Sequence, residues 1–81
     1  MKARVYITLK KSVLDPQGET VKRALTHLGF NSIEEVRMGK YVELHLNTAS
    51  RKQAEQRVRQ MCEQLLANPV IEEFRYDIVS R

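Results

Sequence analysis

The side chains with the most chemical potential in this sequence are a single cysteine, Cys62, two histidines, His27 and His45, and two adjacent carboxylate pairs, Glu34-Glu35 and Glu72-Glu73. A cysteine nucleophile needs a partner base and access to substrate. Cys62 instead falls in an apolar stripe at helical spacing, Ala54, Val58, Met61, Cys62, Leu65 and Leu66, where a thiol is packing material. Neither histidine has a second donor at ligand spacing, so both read as structural or solvated. Neighbouring carboxylates in an extended chain point to opposite faces and do not share one reacting centre. Gly18 sits where a helix N-terminus could receive an anion, but a carboxylate at Asp15 already occupies that positive end. No constellation able to make or break a bond emerges, and a lone cysteine excludes an internal disulfide.

The elements that carry these residues follow from periodicity. Arg4 to Lys10 alternates, with Val5, Ile7 and Leu9 on one side and Tyr6 and Thr8 on the other, the pattern of a half-buried strand. Asp15-Pro16 opens a helix over residues 16–28: the carboxylate caps it, and proline fits the first position because its missing N–H would have had no partner. Val21, Ala24, Leu25 and Leu28 form its apolar stripe, and Gly29 suits its C-cap. Residues 33–38 are expected to form a second strand, turning near Gly39 into a third over residues 41–47, where Val42, Leu44 and Leu46 oppose Tyr41, Glu43 and His45. Ser50 and Gln53 fit a capping box for a second helix that ends at Asn68-Pro69. Arg51, Glu55, Arg59 and Glu63 stand four apart on its outer face, spaced for ion pairs. Phe74, Tyr76 and Ile78 alternate with Glu73, Arg75 and Asp77 in a last strand.

The expected order is βαββαβ, the ferredoxin-like order, within a single domain over residues 1–81. It predicts an α+β fold of two layers: a four-stranded antiparallel sheet with both helices on one face. The other face, bearing Tyr6, Thr8, Tyr41 and His45 with Glu43, Arg75, Asp77 and Val79, has no helix to cover it. That face or a sheet edge is the expected site of self-association through Tyr6, Thr8, Tyr41 and His45. A chain of 81 residues without disulfide or metal staples is also short enough for oligomerisation to be expected.

Composition narrows the partners. The chain is 42% hydrophobic and 30% charged with a net charge of +4, which describes a folded domain rather than a disordered tail. The positive charges are spread along the sequence among acidic neighbours, so no phosphate-binding stripe stands out. Gly39-Lys40-Tyr41-Val42 faintly echoes an RNA-binding segment of the RRM type, which makes a single-stranded RNA module the alternative reading. Glu43 and His45 stand where further aromatics would be needed. A ligand-sensing regulatory domain of the same strand order is a third class, without a pocket signature to recommend it. No apolar run approaches the roughly 18 residues of a membrane span, and Met1-Lys2-Ala3-Arg4 leads into alternation rather than an apolar leader, so a cytoplasmic protein is expected.

Val5-Tyr6-Ile7-Thr8-Leu9-Lys10, Val13-Leu14-Asp15-Pro16-Gln17-Gly18, Ala24-Leu25 ahead of Leu28-Gly29, Val36-Arg37-Met38-Gly39-Lys40 and Leu66-Ala67-Asn68-Pro69-Val70-Ile71-Glu72 together resemble the PurS family, over essentially the whole chain. This is the family of the small subunit of phosphoribosylformylglycinamidine synthase, also called formylglycinamide ribonucleotide amidotransferase. The resemblance implies a place in purine biosynthesis without an active site of its own. A large synthetase subunit would bind ATP and substrate, and a glutaminase subunit would release ammonia. The small subunit would form a homodimer or dimer of dimers and bridge the two, supporting ammonia transfer. ATP, Mg and glutamine would be used by the assembled complex and none bound by this chain, with no nucleic acid or membrane partner. Asp15, Pro16, Gln17 and Gly18, which shape the entry into the first helix, and Arg37, Gly39 and Lys40, near the expected turn, are the candidates for docking to the larger subunits.

Overall fold

A computed structural model describes residues 1–80. Three strands and two helices follow one another: β1 (Lys2–Leu9), α1 (Pro16–His27), β2 (Gly39–His45), α2 (Arg51–Met61), which runs on through a π-helical turn at Cys62–Leu66, and β3 (Glu72–Val79). The sheet order is β2-β1-β3, with β1 central and antiparallel to both neighbours. Opposite Val5 stand Val42 and Tyr76; opposite Tyr6 stand Tyr41 and Arg75. Because side chains alternate across a sheet, this register sends Ala3, Val5, Ile7, Phe74, Tyr76 and Ile78 to one face and the expected open set to the other.

The core lies between the first face and α2. Ala3, Val5, Ile7, Ala54, Val58, Cys62, Ala67 and Ile78 are buried, with Val42, Leu44, Leu66 and Phe74 packed partly against them. Ala54, Val58 and Cys62 recur every four residues, a row that drifts around a regular helix of 3.6 residues per turn. The wider turn, closed by Ala67 N–H donating to the Cys62 carbonyl at 3.0 Å, carries Ala67 back to the core and leaves Leu65 exposed. The Ser50 hydroxyl accepts from Gln53 N–H at 3.2 Å, half of the expected capping box. The Gln53 side chain meets the Thr48 hydroxyl instead of returning to Ser50.

Four expectations are corrected. The α+β class stands, but the sheet has three strands rather than four, in the order β-α-β-α-β. Residues 33–38 form no strand and no hairpin turns at Gly39: at its two ends the segment is bonded to side chains from elsewhere, the Glu34 carbonyl to Lys22 and the Met38 N–H to Asp15, rather than to a neighbouring strand. The helices do not share the sheet face: α2 packs on it, whereas α1 has no substantial contact with any strand. The ion pairs expected along α2 do not form among the described residues. Arg51 turns to donate to the Ile78 carbonyl at 2.9 Å and Arg59 to the Tyr76 hydroxyl at 3.1 Å, fastening α2 to β3.

The molecule is accordingly long, 49 × 27 × 14 Å, with a radius of gyration of 16.0 Å. A compact chain of this length would have about 12 Å. The excess comes from α1, which leaves the sheet as an arm.

Candidate functional site

The seven residues expected to dock partners converge at the base of that arm. Asp15 caps α1 by accepting Gly18 N–H through Oδ1 at 2.9 Å. Its Oδ2 accepts Met38 N–H at 2.7 Å, from 23 positions further on. Arg37 donates through Nη2 to the carbonyls of Lys10 and Val13 at 2.9 and 3.0 Å, and Lys22 Nζ donates to the Glu34 carbonyl at 2.6 Å. Gly18 is buried with its Cα directed at the Val36 carbonyl. The segment at residues 34–38 is thus a strap, held to the β1–α1 loop and to the first turns of α1 by side chains rather than by a ladder.

Electrostatics reinforce the arrangement. Backbone N–H donation from Gly18 and then Met38, outweighing the desolvation that opposes it, with Arg37 nearby, lowers the Asp15 carboxyl below its ordinary range. Beyond the strap, Gly39 begins β2 against the Ile7 carbonyl, where an added Cβ would stand 2.7 Å from the oxygen, tighter than real Cβ atoms pack. Lys40 reaches Glu72 on the opposite edge strand at 3.7 Å, and Lys10 donates to the Pro69 carbonyl at 2.9 Å. A groove of about 240 Å³ runs between Asp15, Gln17, Met38, Lys40 and Glu72. Asp15 and Gly18 face inward and Arg37 is spent on internal bonds, while Pro16, Gln17, Gly39 and Lys40 are exposed. The contacts of Lys10, Lys22, Met38 and Glu72 at this site are not legible in the sequence, since their partners are residues far along the chain that no local spacing reveals.

The four residues expected to mediate self-association lie together on the open sheet face. Tyr6 and Tyr41 are cross-strand neighbours with ring centroids 5.2 Å apart, and the Arg75 guanidinium stands 4.0 Å from the Tyr6 centroid. Thr8 and His45 flank them toward opposite ends. The Tyr41 hydroxyl donates to Glu43 at 2.7 Å and Lys2 pairs with the same carboxylate at 3.2 Å; these two contacts lower the Glu43 carboxyl below its ordinary range, and the tyrosine hydroxyl is raised by the same bond. For an RNA module this geometry is poor: Arg75 occupies the ring face of Tyr6 on which a base would stack, and Glu43 places a negative charge beside Tyr41.

Apolar surface is left uncovered on the arm. Leu28 is 74% exposed and Phe30 57%, with Leu14 at 75% near the base. The α2 face of the sheet is also incompletely covered over β2, where Val42 and Leu44 remain half-buried. Cys62 is fully buried, and desolvation pushes its thiol up, away from the thiolate a nucleophile needs. No cluster of three His, Cys, Asp or Glu at metal-holding separation occurs among the described residues, and no described helix is long and apolar enough to cross a membrane.

Comparison with known proteins bears on the whole chain. Residues 2–80 match the family model PurS, described as phosphoribosylformylglycinamidine (FGAM) synthase. The phosphoribosylformylglycinamidine synthase subunit PurS of Bacillus subtilis is 48% identical over 77 residues, which span 95% of this chain and 90% of that one. The crystal structure of Methanocaldococcus jannaschii PurS, described as one of the subunits of formylglycinamide ribonucleotide amidotransferase in the purine biosynthetic pathway, superposes with a TM-score of 0.89 at 40% identity, covering 99% of this chain and 96% of that one. A chain in the structure of PurLQS from Thermotoga maritima superposes with a TM-score of 0.88 at 31% identity, covering 96% and 95%.

Proposed function

The chain belongs to the PurS family, and from that premise we propose that it is the small, non-catalytic subunit of a phosphoribosylformylglycinamidine synthase in purine biosynthesis. It bridges a synthetase subunit and a glutaminase subunit in the cytoplasm. The observation that carries this reading is the match over residues 2–80 in a molecule whose one thiol is buried and whose carboxylates are committed to structural bonds or spread over the surface. The glutaminase nucleophile therefore belongs to a larger partner. ATP, Mg and glutamine are requirements of the assembled enzyme, handled by its other subunits.

In this proposal the chain works by contact. The glutaminase frees ammonia at one centre and the synthetase consumes it at another, so the two must stay juxtaposed if ammonia is to cross without escaping to water. The exposed residues at the arm base, Pro16, Gln17, Gly39 and Lys40, are the docking surface, shaped from behind by Asp15, Gly18 and Arg37. A homodimer or dimer of dimers accounts for the uncovered apolar stripe of α1, the half-covered β2 side of the sheet and the open face at Tyr6, Thr8, Tyr41 and His45.

The test is an omission assay. Purified synthetase and glutaminase, supplied with ATP, Mg, glutamine and formylglycinamide ribonucleotide, are assayed for amidine product with and without this chain. Product formation that depends on the chain is the expected result; the same rate in its absence defeats the proposal.

A further inference from the structure

We infer that Asp15 and Arg37 are positioning residues that lock the base of α1 to the strap at residues 34–38, so that the helix projects from the sheet as a rigid arm in one fixed direction. A helix of 12 residues with no substantial packing on its own sheet takes its angle from what holds its base and first turns, since the segments leading in and out are loops. The bonds at its base supply that constraint. A cap alone needs one carboxylate oxygen. Asp15 uses both: Oδ1 holds the first turn of α1, and Oδ2 holds Met38, one residue before β2 begins. Arg37 closes the opposite side by gripping the loop that enters α1 at two carbonyls. The entering loop, the helix start and the returning strap are therefore tied at one point, with Gly18 allowing the close approach. This role goes beyond docking: it fixes where the apolar stripe of α1 is delivered, whatever receives it.

The distinction between cap and brace is testable with Asp15→Asn. Asparagine caps helices as well as aspartate, but its amide nitrogen replaces one acceptor, so with the cap kept a donor faces Met38 N–H. Arg37→Met removes the grip on the loop at similar length. Nitroxides placed at His27→Cys on α1 and Gln56→Cys on α2, in full-length protein diluted into unlabelled protein, report the intrachain distance by pulsed dipolar spectroscopy, with circular dichroism as the control for helix content. A single narrow distribution is expected for the otherwise unaltered chain. Asp15→Asn and Arg37→Met are expected to broaden it at least twofold with helix content unchanged. A broad distribution in the unaltered chain overturns the inference, as does a width in Asp15→Asn equal to the unaltered one. Should Asp15→Asn lose helix, Arg37→Met decides alone, and an unchanged width there overturns it.

Discussion

Gly18, in the first turn of α1, and the backbone carbonyl of Val36, in the strap, meet so closely that no side chain fits between them. The contact joins backbone to backbone, so neither partner can swing aside as a flexible side chain would. Gly18→Ala is expected to destabilise the fold by about 1–3 kcal/mol, the usual cost of overpacking, measured by urea unfolding at fixed protein concentration. Gly29→Ala is a different case: nothing crowds the position, but its φ of +103° is strained for an L residue, at about 1–2 kcal/mol.

The Asp15 carboxylate makes stability depend on pH. Its folded-state pKa is depressed, so the folded protein resists protonation at a pH where the unfolded chain accepts a proton. The contribution is complete above the ordinary carboxylate range and is lost as pH falls through the ordinary value of 3.8 and then through the lower folded value. Urea midpoints taken from pH 7 to pH 3 are expected to fall in this window, and the fall is expected to be shallower in Asp15→Asn.

Core and arm respond differently to truncation. Ile7, 1% exposed at the centre of the sheet, is expected to cost about 2–5 kcal/mol on Ile7→Ala. Leu28→Ser, at an exposed site on the arm, is expected to leave the fold of each chain intact while reducing the molar mass found by light scattering. An unchanged mass would remove the arm from the self-association surface.

Cys62 is expected to resist a thiol reagent in the native protein and to react fully in urea, since it is buried within the α2 stripe and its thiol is raised. Thiol titration with and without denaturant measures this directly.

How far the sequence was legible depended on whether the information was local. The period-2 pattern of β1, the Asp15-Pro16 start of α1, the Gly29 stop and the Ala54-Val58-Cys62 row are all set within a few neighbours and were readable. Residues 33–38 were not: Val36 and Met38 stand two apart as in a strand while Ile33 breaks the alternation, and long-range bonds from Asp15 to Met38, Lys22 to Glu34 and Arg37 to the loop before α1 hold the segment instead. The docking of α1 failed for a related reason. Its stripe of Val21, Ala24, Leu25 and Leu28 reads the same whether it covers its own sheet or another surface. The seven docking candidates lie near one another in space, and Arg37, expected as a charged contact for a partner, holds its own loop.

The bridging role is tested most directly by sedimentation velocity of the synthetase and glutaminase mixed with and without this chain. All three are predicted to move as one boundary when the chain is present, with the two larger subunits sedimenting separately when it is withheld. Co-sedimentation of synthetase and glutaminase without it, unchanged by its addition, would contradict the account.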